Sequence, residues 1–261
     1  MIGILRSAWL LAAFSLGAIA IAAQELSPPS PLSPLSPPHA GAPTTWRFVG
    51  LPPSKAAIPV TRFEWATHQG ERALKVSTAS SYGTWVHDLP QVRPATLQWR
   101  WRLDLPLTGG HRVPDLLRKN GDDAALKVCV LFEHALDRVP FVERTVLRLA
   151  RRVSGEDLPA ATICYVWDSA QAAGLQGANP YSRRVRFISL QGLGSPLGQW
   201  QSEARDVAQD FAHLFADEWP PGAEPPSVRA VLIGADSDNT GARSVGWVQS
   251  VQWRPKGGPD P

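Results

Sequence analysis

Hydrophobic and polar residues alternate with a period of two along much of the chain. The clearest run is Thr96–Asp104, where Leu97, Trp99, Trp101 and Leu103 alternate with Gln98, Arg100, Arg102 and Asp104. That pattern predicts a half-buried antiparallel strand. Thr61–Thr67 repeats it with Phe63 and Trp65. Ser244–Arg254 repeats it with Val245, Trp247, Val251 and Trp253, so Trp247 and Trp253 are expected to point inward with Trp99 and Trp101. Further strands are expected at Ala73–Thr78, Gly83–His87, Leu126–Phe132, Thr162–Trp167, Arg184–Leu190 and Val228–Ala235, separated by Pro, Gly and Asp clusters. Two segments switch to helical spacing. One spans 140–152. The other spans 203–215, with Val207, Phe211, Leu214 and Phe215 recurring on one side. Nine or ten strands with two minor helices predict an all-β fold, an antiparallel β-sandwich of jelly-roll type, with a closed barrel as the alternative.

Composition supports this pattern. Hydrophobic residues make up 44 % of the 261-residue chain, charged residues 19 %, and there are 25 Pro and 11 Trp. So many prolines exclude a helical bundle. The apolar content and the net charge of only +3 exclude a disordered chain.

The ends read differently from the middle. Residues 1–23 have the form of a secretory signal: Arg6, then about 16 apolar residues ending in Ala20, Ala22 and Ala23. The run is short for a membrane span of roughly 20 residues, so cleavage is expected, with an uncleaved anchor as the alternative and the only expected link to a membrane. The protein is therefore expected to be periplasmic or secreted, where nucleic acid is not a partner. A Pro- and Ser-rich stretch, 24–43, holds seven of the prolines within 27–43 and predicts an extended spacer outside the fold. The sandwich is expected over 44–255, with a tail at 256–261. The two cysteines, Cys129 and Cys164, both fall on strands. Either they bridge, if those strands are neighbours, or they pack as buried thiols.

Taken in order, ALKVSTASSYGTWVHDL (73–89), LQWRWRLD (97–104), NGDDAALKVCVLFE (120–133), ICYVWDS (163–169), VRFISLQG (185–192), EARDVAQDF (203–211) and VLIGADSDNTGA (231–242) form a recognisable series. The series resembles the bacterial "domain of unknown function 3047" family over about 60–254. The resemblance implies an envelope or secreted β-sandwich and no particular activity. The chain departs from the family in its cysteine pair and in a longer insert, Pro106–Lys119.

Candidate chemistry is sparse. The six histidines show no metal-ligand spacing, and neither a Gly-x-Ser-x-Gly elbow nor a phosphate-cradling glycine loop is present. Two acidic loops stand out: Asp122 and Asp123 before one strand, and Asp236, Asp238 and Asn239 between two others. Alternating Asp followed by Thr240 and Gly241 resembles half of a calcium loop, so Asp122, Asp123, Asp236, Asp238 and Asn239 form a candidate Ca2+ site shared between the loops. Trp247 stands where an EF-hand needs its bidentate acid, which excludes that motif; ordinary turn chemistry is the competing reading. Trp85, Trp167, Trp200 and Trp219 fall at strand ends or turns. Of these, Trp167 and Trp200, with Arg205, are candidate ligand-binding residues, although Arg205 is expected first as a structural ion pair. Arg144, Arg148, Arg151 and Arg152 form the basic face of the first helix, opposite Val142, Val146, Leu149 and Val153; a solvated face is expected, though lipid headgroups or an acidic polysaccharide also suit it.

These features predict a sandwich that binds a cell-envelope glycan or similar polar ligand without catalysis. The alternatives are a carbohydrate-active enzyme using paired carboxylates, drawn from Glu64, Glu133, Asp122 and Asp123, and an envelope assembly protein.

Overall fold

The computed structural model describes residues 30–37, 45–52, 55–68, 70–154 and 157–254. The expected leader, 1–23, and tail, 256–261, lie outside these residues. Twelve strands are described: β1 (Trp46–Val49), β2 (Arg62–His68), β3 (Glu71–Ala79), β4 (Tyr82–Val92), β5 (Thr96–Thr108), β6 (Leu126–Phe132), β7 (Ala161–Trp167), β8 (Gln176–Ala178), β9 (Val185–Gln191), β10 (Gln201–Asp206), β11 (Val228–Asp236) and β12 (Arg243–Arg254). Helix α1 (Phe141–Ser154) precedes β7, and helix α2 (Val207–Leu214) follows β10. The strands form two sheets, a seven-stranded one ordered β1-β4-β11-β6-β7-β9-β8 and a five-stranded one ordered β10-β5-β12-β3-β2. All pairings are antiparallel except β7 with β9. The result is a β-sandwich of the jelly-roll-like kind that the alternating pattern predicts.

Alternate residues of each strand meet between the sheets. From β5 come Leu97, Trp99, Trp101 and Leu103; from β6, Leu126, Val128, Val130 and Phe132; from β7, Ile163, Tyr165 and Trp167. Four large rings pack at the centre: Trp99 lies 5.4 Å from Trp101 and 5.2 Å from Tyr165, and Trp101 lies 5.6 Å from Trp167. Burial of such rings carries most of the hydrophobic driving force for a fold of this kind.

The second predicted helix is shorter than its apolar spacing indicated. Residues 201–206 pair with β5 as strand β10, and the helix begins only at Val207. The reason is the cap: Asp206 accepts hydrogen bonds from the Ala208 and Gln209 backbone N–H groups, which fixes the helix start there.

The predicted facing of β12 is only half correct. Ser250 takes a left-handed backbone (φ +54°) and forms a bulge, because Gln249 pairs with Arg100 while Gln252 pairs with Gln98. One extra residue reverses which face the strand presents. Val251 and Trp253 therefore point into the core, whereas Trp247 lies opposite Arg102 on the outer face of the five-stranded sheet.

Part of the Pro-rich stretch also departs from expectation. Residues 30–37 lie against the sandwich rather than away from it. Leu32 is 3 % exposed and belongs to the core, Ser30 donates to the Trp253 carbonyl, and the Trp46 indole donates to the Ser33 carbonyl. Leu35 packs against the same core, so a proline-rich segment without its own secondary structure still contributes two leucines to the fold.

Cys129 and Cys164 stand directly opposite each other in the β6–β7 pairing and form a disulfide. Both side chains lie on the outer side of the seven-stranded sheet, in a second apolar cluster with Leu116, Val166 and Phe187. The Leu116 contribution comes from the insert 106–119, which covers this outer face. The bond closes a separation of 35 residues that contains helix α1. Breaking it by Cys129→Ala with Cys164→Ala is expected to lower unfolding free energy by about 2–4 kcal/mol. Urea unfolding of variant and wild type measures this; equal midpoints would show that the bond carries no stability.

Candidate functional site

Three loops meet at one end of the seven-stranded sheet. Asp122 and Asp123 precede β6, Asp236–Thr240 joins β11 to β12, and Asn179 follows β8. All five predicted metal residues lie in this group. Asp123 accepts from the Thr240 backbone N–H (2.7 Å), the Thr240 hydroxyl (2.6 Å), and the Asn239 N–H and side-chain amide (3.3 Å each). Asp122 accepts from the amides of Asn179 and Asn239, both at 2.8 Å. Asp236 accepts from the Ala124 N–H at 2.9 Å and from the Lys127 ammonium at 2.6 Å. Gly241 closes the turn with a left-handed backbone (φ +70°), the conformation for which glycine is suited.

Asp123, Asp236 and Asp238 offer oxygens within 4.8 Å of one another. Lys127, four residues after Asp123 on β6, joins this group. It supplies the positive charge that the calcium reading asked of an ion. Burial works against its charge, but Asp236, Tyr82 and Asp122 together outweigh this and raise its pKa. The side chain also lies 5.4 Å from the Tyr82 ring centre. Asp122 is pushed up to about 6, chiefly by burial, and Asp238 is raised by burial and by the charges of Asp236 and Asp123. N–H, O–H and ammonium groups occupy the oxygens of Asp123 and Asp236. Lys127 offsets one of the four carboxylates, and the hydrogen bonds clasp the three loops together.

The candidate ligand-binding residues fall apart in space. Trp167 is part of the central ring cluster and presents no face to a ligand. Arg205 makes a two-pronged ion pair with Asp210, whose other donor is the buried Tyr165 hydroxyl at 2.8 Å, so its role is the expected structural one. Trp200 is half-buried beside the five-stranded sheet, with the Arg100 guanidinium 5.4 Å from its ring centre. Among the four acids considered for glycoside cleavage, Glu133 follows β6 whereas Asp122 and Asp123 precede it, a separation of roughly 20 Å along a seven-residue strand. Glu64 lies on the other sheet.

The outer face of the five-stranded sheet is the more organised surface. The register places Glu64, Lys75, Trp247 and Arg102 in one row across it, with Arg100 and Gln249 paired in the next. Arg102 donates to Asp104 at 2.5 Å, and Asp104 also accepts from the Trp247 indole at 2.7 Å. Glu71 accepts from Gln249 at 2.5 Å and from Arg100 at 3.2 Å. The Gln249 hydrogen bond, followed by the Arg100 charge, holds the Glu71 carboxyl below its usual range. Trp247 is 6 % exposed; Lys75 and His68 stand over its ring at 5.7 and 5.1 Å. Three buried nitrogens at this face, Arg102 Nη1, His68 Nε2 and Trp200 Nε1, have no hydrogen-bond partner among the described residues. A hollow of about 500 Å³ opens at the edge of this sheet, lined by Arg62, Ser77 and Ala79 among others.

A second concavity, about 300 Å³, lies beyond β6 and is lined by His134, Arg151, Asp157 and Arg229. His134 is pushed down to about 4 by burial and by nearby arginines, so its ring is neutral. Nothing in the spacing of the histidines singled it out.

The family model described as "Protein of unknown function (DUF3047)" matches residues 45–252. The chain belongs to the DUF3047 family. The match spans both sheets, the acidic loops and the outer face just described. No curated protein matches the chain in sequence. Among solved structures, the chain is similar to the family 11 carbohydrate-binding module of Clostridium thermocellum in complex with a β-1,3-1,4-mixed-linked tetrasaccharide, at 8 % identity and TM-score 0.40, covering 87 % of this chain and 95 % of that one. It is similar to a family 29 carbohydrate-binding module at 12 % identity and TM-score 0.30, covering 82 % of each chain. It is also similar to the enzymatically active domain of tailspike protein 4 of bacteriophage CBA120, at 8 % identity and TM-score 0.32, covering 80 % of this chain and 19 % of that one. None of these likenesses bears on what this DUF3047 chain binds.

Two outcomes test the clasp. Lys127→Met is expected to lower stability by about 3–5 kcal/mol, because it leaves a buried carboxylate without its partner. Calcium should restore part of that loss in the variant while leaving the wild-type melting temperature unchanged. A calcium-dependent rise in the wild type would show an ion binding beside Lys127. Separately, the raised pKa of Asp122 means the folded state binds a proton more tightly than the unfolded state. Stability from this group is therefore greatest below about pH 4 and is lost as pH rises through about 6. Asp122→Asn should flatten that part of the stability–pH curve between pH 4 and 7, measured by urea midpoints; an unchanged slope contradicts the assignment.

Proposed function

We propose that this DUF3047 chain is a non-catalytic binding domain of the cell envelope, which takes a glycan or similar polyhydroxylated ligand on the outer face of the five-stranded sheet. The observation that carries this reading is the fixed arrangement of planar polar groups there. Arg102, Asp104 and the Trp247 indole form one hydrogen-bonded set; Arg100, Glu71 and Gln249 form another. Planar donors and acceptors held in place match the paired hydroxyls of a sugar ring at little cost in side-chain ordering. The bonds to Asp104 and Glu71 hold these arginines and the glutamine in one orientation before a ligand arrives. The half-buried Trp200 at the rim adds apolar area for the C–H face of a ring.

The compartment is part of the proposal. The secretory form of residues 1–23 supports export, and so does the Cys129–Cys164 bond, since disulfides persist in oxidising spaces outside the cytoplasm. The acids suggested for hydrolysis do not converge on this face, which favours binding over cleavage.

A saccharide array bearing peptidoglycan fragments and lipopolysaccharide core sugars, paired with a hydrolysis screen of the same panel, tests the proposal. At least one saccharide is expected to bind and none to be cleaved. Arg100→Ala should weaken binding about tenfold or more, as expected for losing a charged hydrogen bond. Lys75→Ala, an independent change on the same face, guards against a folding artefact in the first. No binding across the panel, or binding that neither variant alters, would overturn the assignment.

A further inference from the structure

The packing of α1 is inverted relative to an ordinary surface helix. Amphipathic helices turn their apolar stripe to the core and their charges to water. Here Phe141, Val142, Val146 and Leu149 are each 61–73 % exposed, and among the described apolar side chains of the helix only Leu147 is buried, against Val139 and Ala160. The helix is held to the sandwich mainly by polar contacts. Glu143 pairs with Arg183 at 3.2 Å and with the buried Arg184, while Arg184 also pairs with Glu218 at 3.0 Å. Arg151 pairs with Asp157 at 3.0 Å and donates to the Leu158 carbonyl. Arg144 donates to the Asp137 carbonyl.

These contacts sort the charges as well. The one acid of the helix, Glu143, is turned inward. Arg148 and Arg152 are turned outward, and neither makes an ion pair among the described residues. At 100° per residue they border one side of the exposed stripe, so the outward surface of α1 is apolar with a cationic edge and carries no negative side chain of its own. Among the described residues no helix is long and apolar enough to cross a membrane. The helix therefore has the properties of an element that lies on a bilayer rather than in it: an apolar stripe to enter the acyl boundary and arginines to meet anionic headgroups.

We infer that α1 docks the domain on an anionic lipid surface, through Phe141, Val142, Val146 and Leu149 in the interface and Arg148 and Arg152 at the headgroups. The inference is independent of the glycan reading, since α1 is held against the β9 and α2 side of the sandwich and contributes nothing to the outer face of the five-stranded sheet. It makes a membrane contact available to the folded domain itself, separate from the leader.

The test uses the chain from Gln24 onward, which contains every described residue and lacks the apolar leader that would bind vesicles by itself. Sedimentation is measured with phosphatidylcholine vesicles with and without phosphatidylglycerol. Partition into the anionic vesicles, weakening as salt is raised, is expected. Val146→Glu with Leu149→Glu should lower it about tenfold or more. Arg148→Ala with Arg152→Ala should lower it about fivefold for each charge removed, and only with the anionic vesicles. All four residues are exposed, so melting temperatures should stay at the wild-type value. No preference for anionic vesicles at low salt, or a preference that both variants retain, overturns the inference. So does a dimer in sedimentation velocity that Leu149→Glu dissociates, which would assign the stripe to a second copy of the chain.

Discussion

Pairing between β5 and β12, with one unmatched residue at Ser250, fixes which side chains of the five-stranded sheet face the core and which face out. Without the bulge, Trp247 and Trp253 would share a face, as strict alternation demands. With it, Trp253 closes the core at one end of β12 while Trp247 stands on the outer surface and hydrogen-bonds Asp104. The indole then acts as a pillar, around which Arg102, Lys75 and His68 are arranged. That one extra residue lets β12 serve both the interior, through Val251 and Trp253, and the polar surface, through Trp247 and Gln249.

The acidic loops show how charge balance changes the meaning of a motif. Four carboxylates at the end of a sandwich invite a cation, and the protein supplies one as Lys127. A buried ammonium beside Asp236, with amide and hydroxyl donors on Asp122 and Asp123, turns a ligand set into a tie between the start of β6 and the β11–β12 turn. The same logic holds at α1, where buried Arg184 and Arg186 share Glu218 and draw the turn after α2 against β9. In both places paired charges position loops that the hydrophobic core does not reach.

Much of the sandwich is legible in the sequence because β2 and β5 alternate with a period of two and the other long strands are apolar runs bounded by Pro, Gly and Asp. Nine strands follow from that signal, as does α1. The short strands β1, β8 and β10 do not, since each borrows its order from a neighbour rather than from its own pattern. The facing of Trp247 was hidden because a bulge leaves no mark in hydropathy; Ser250 is an unremarkable residue in an unusual backbone conformation. Leu32 was hidden for the opposite reason, being one of two leucines in a segment whose composition reads as spacer. Of the predicted site residues, the acidic loops come together as the two motifs indicated, because both flank strands of one sheet. Trp167 was placed at a strand end correctly, but sequence position does not tell the core side of such an end from its open side; Arg205, expected in the second helix, lies on β10.

The central claim is that the outer face of the five-stranded sheet binds ligand. Backbone amide chemical shifts recorded while soluble cell-envelope oligosaccharides are titrated into the folded domain test it most directly. The account predicts concentration-dependent shifts concentrated at Gln98–Asp104 and Val245–Gln249, with the acidic loops and α1 undisturbed. Shifts centred on Asp122 and Asp238, or a spectrum that none of the sugars alters, would contradict it.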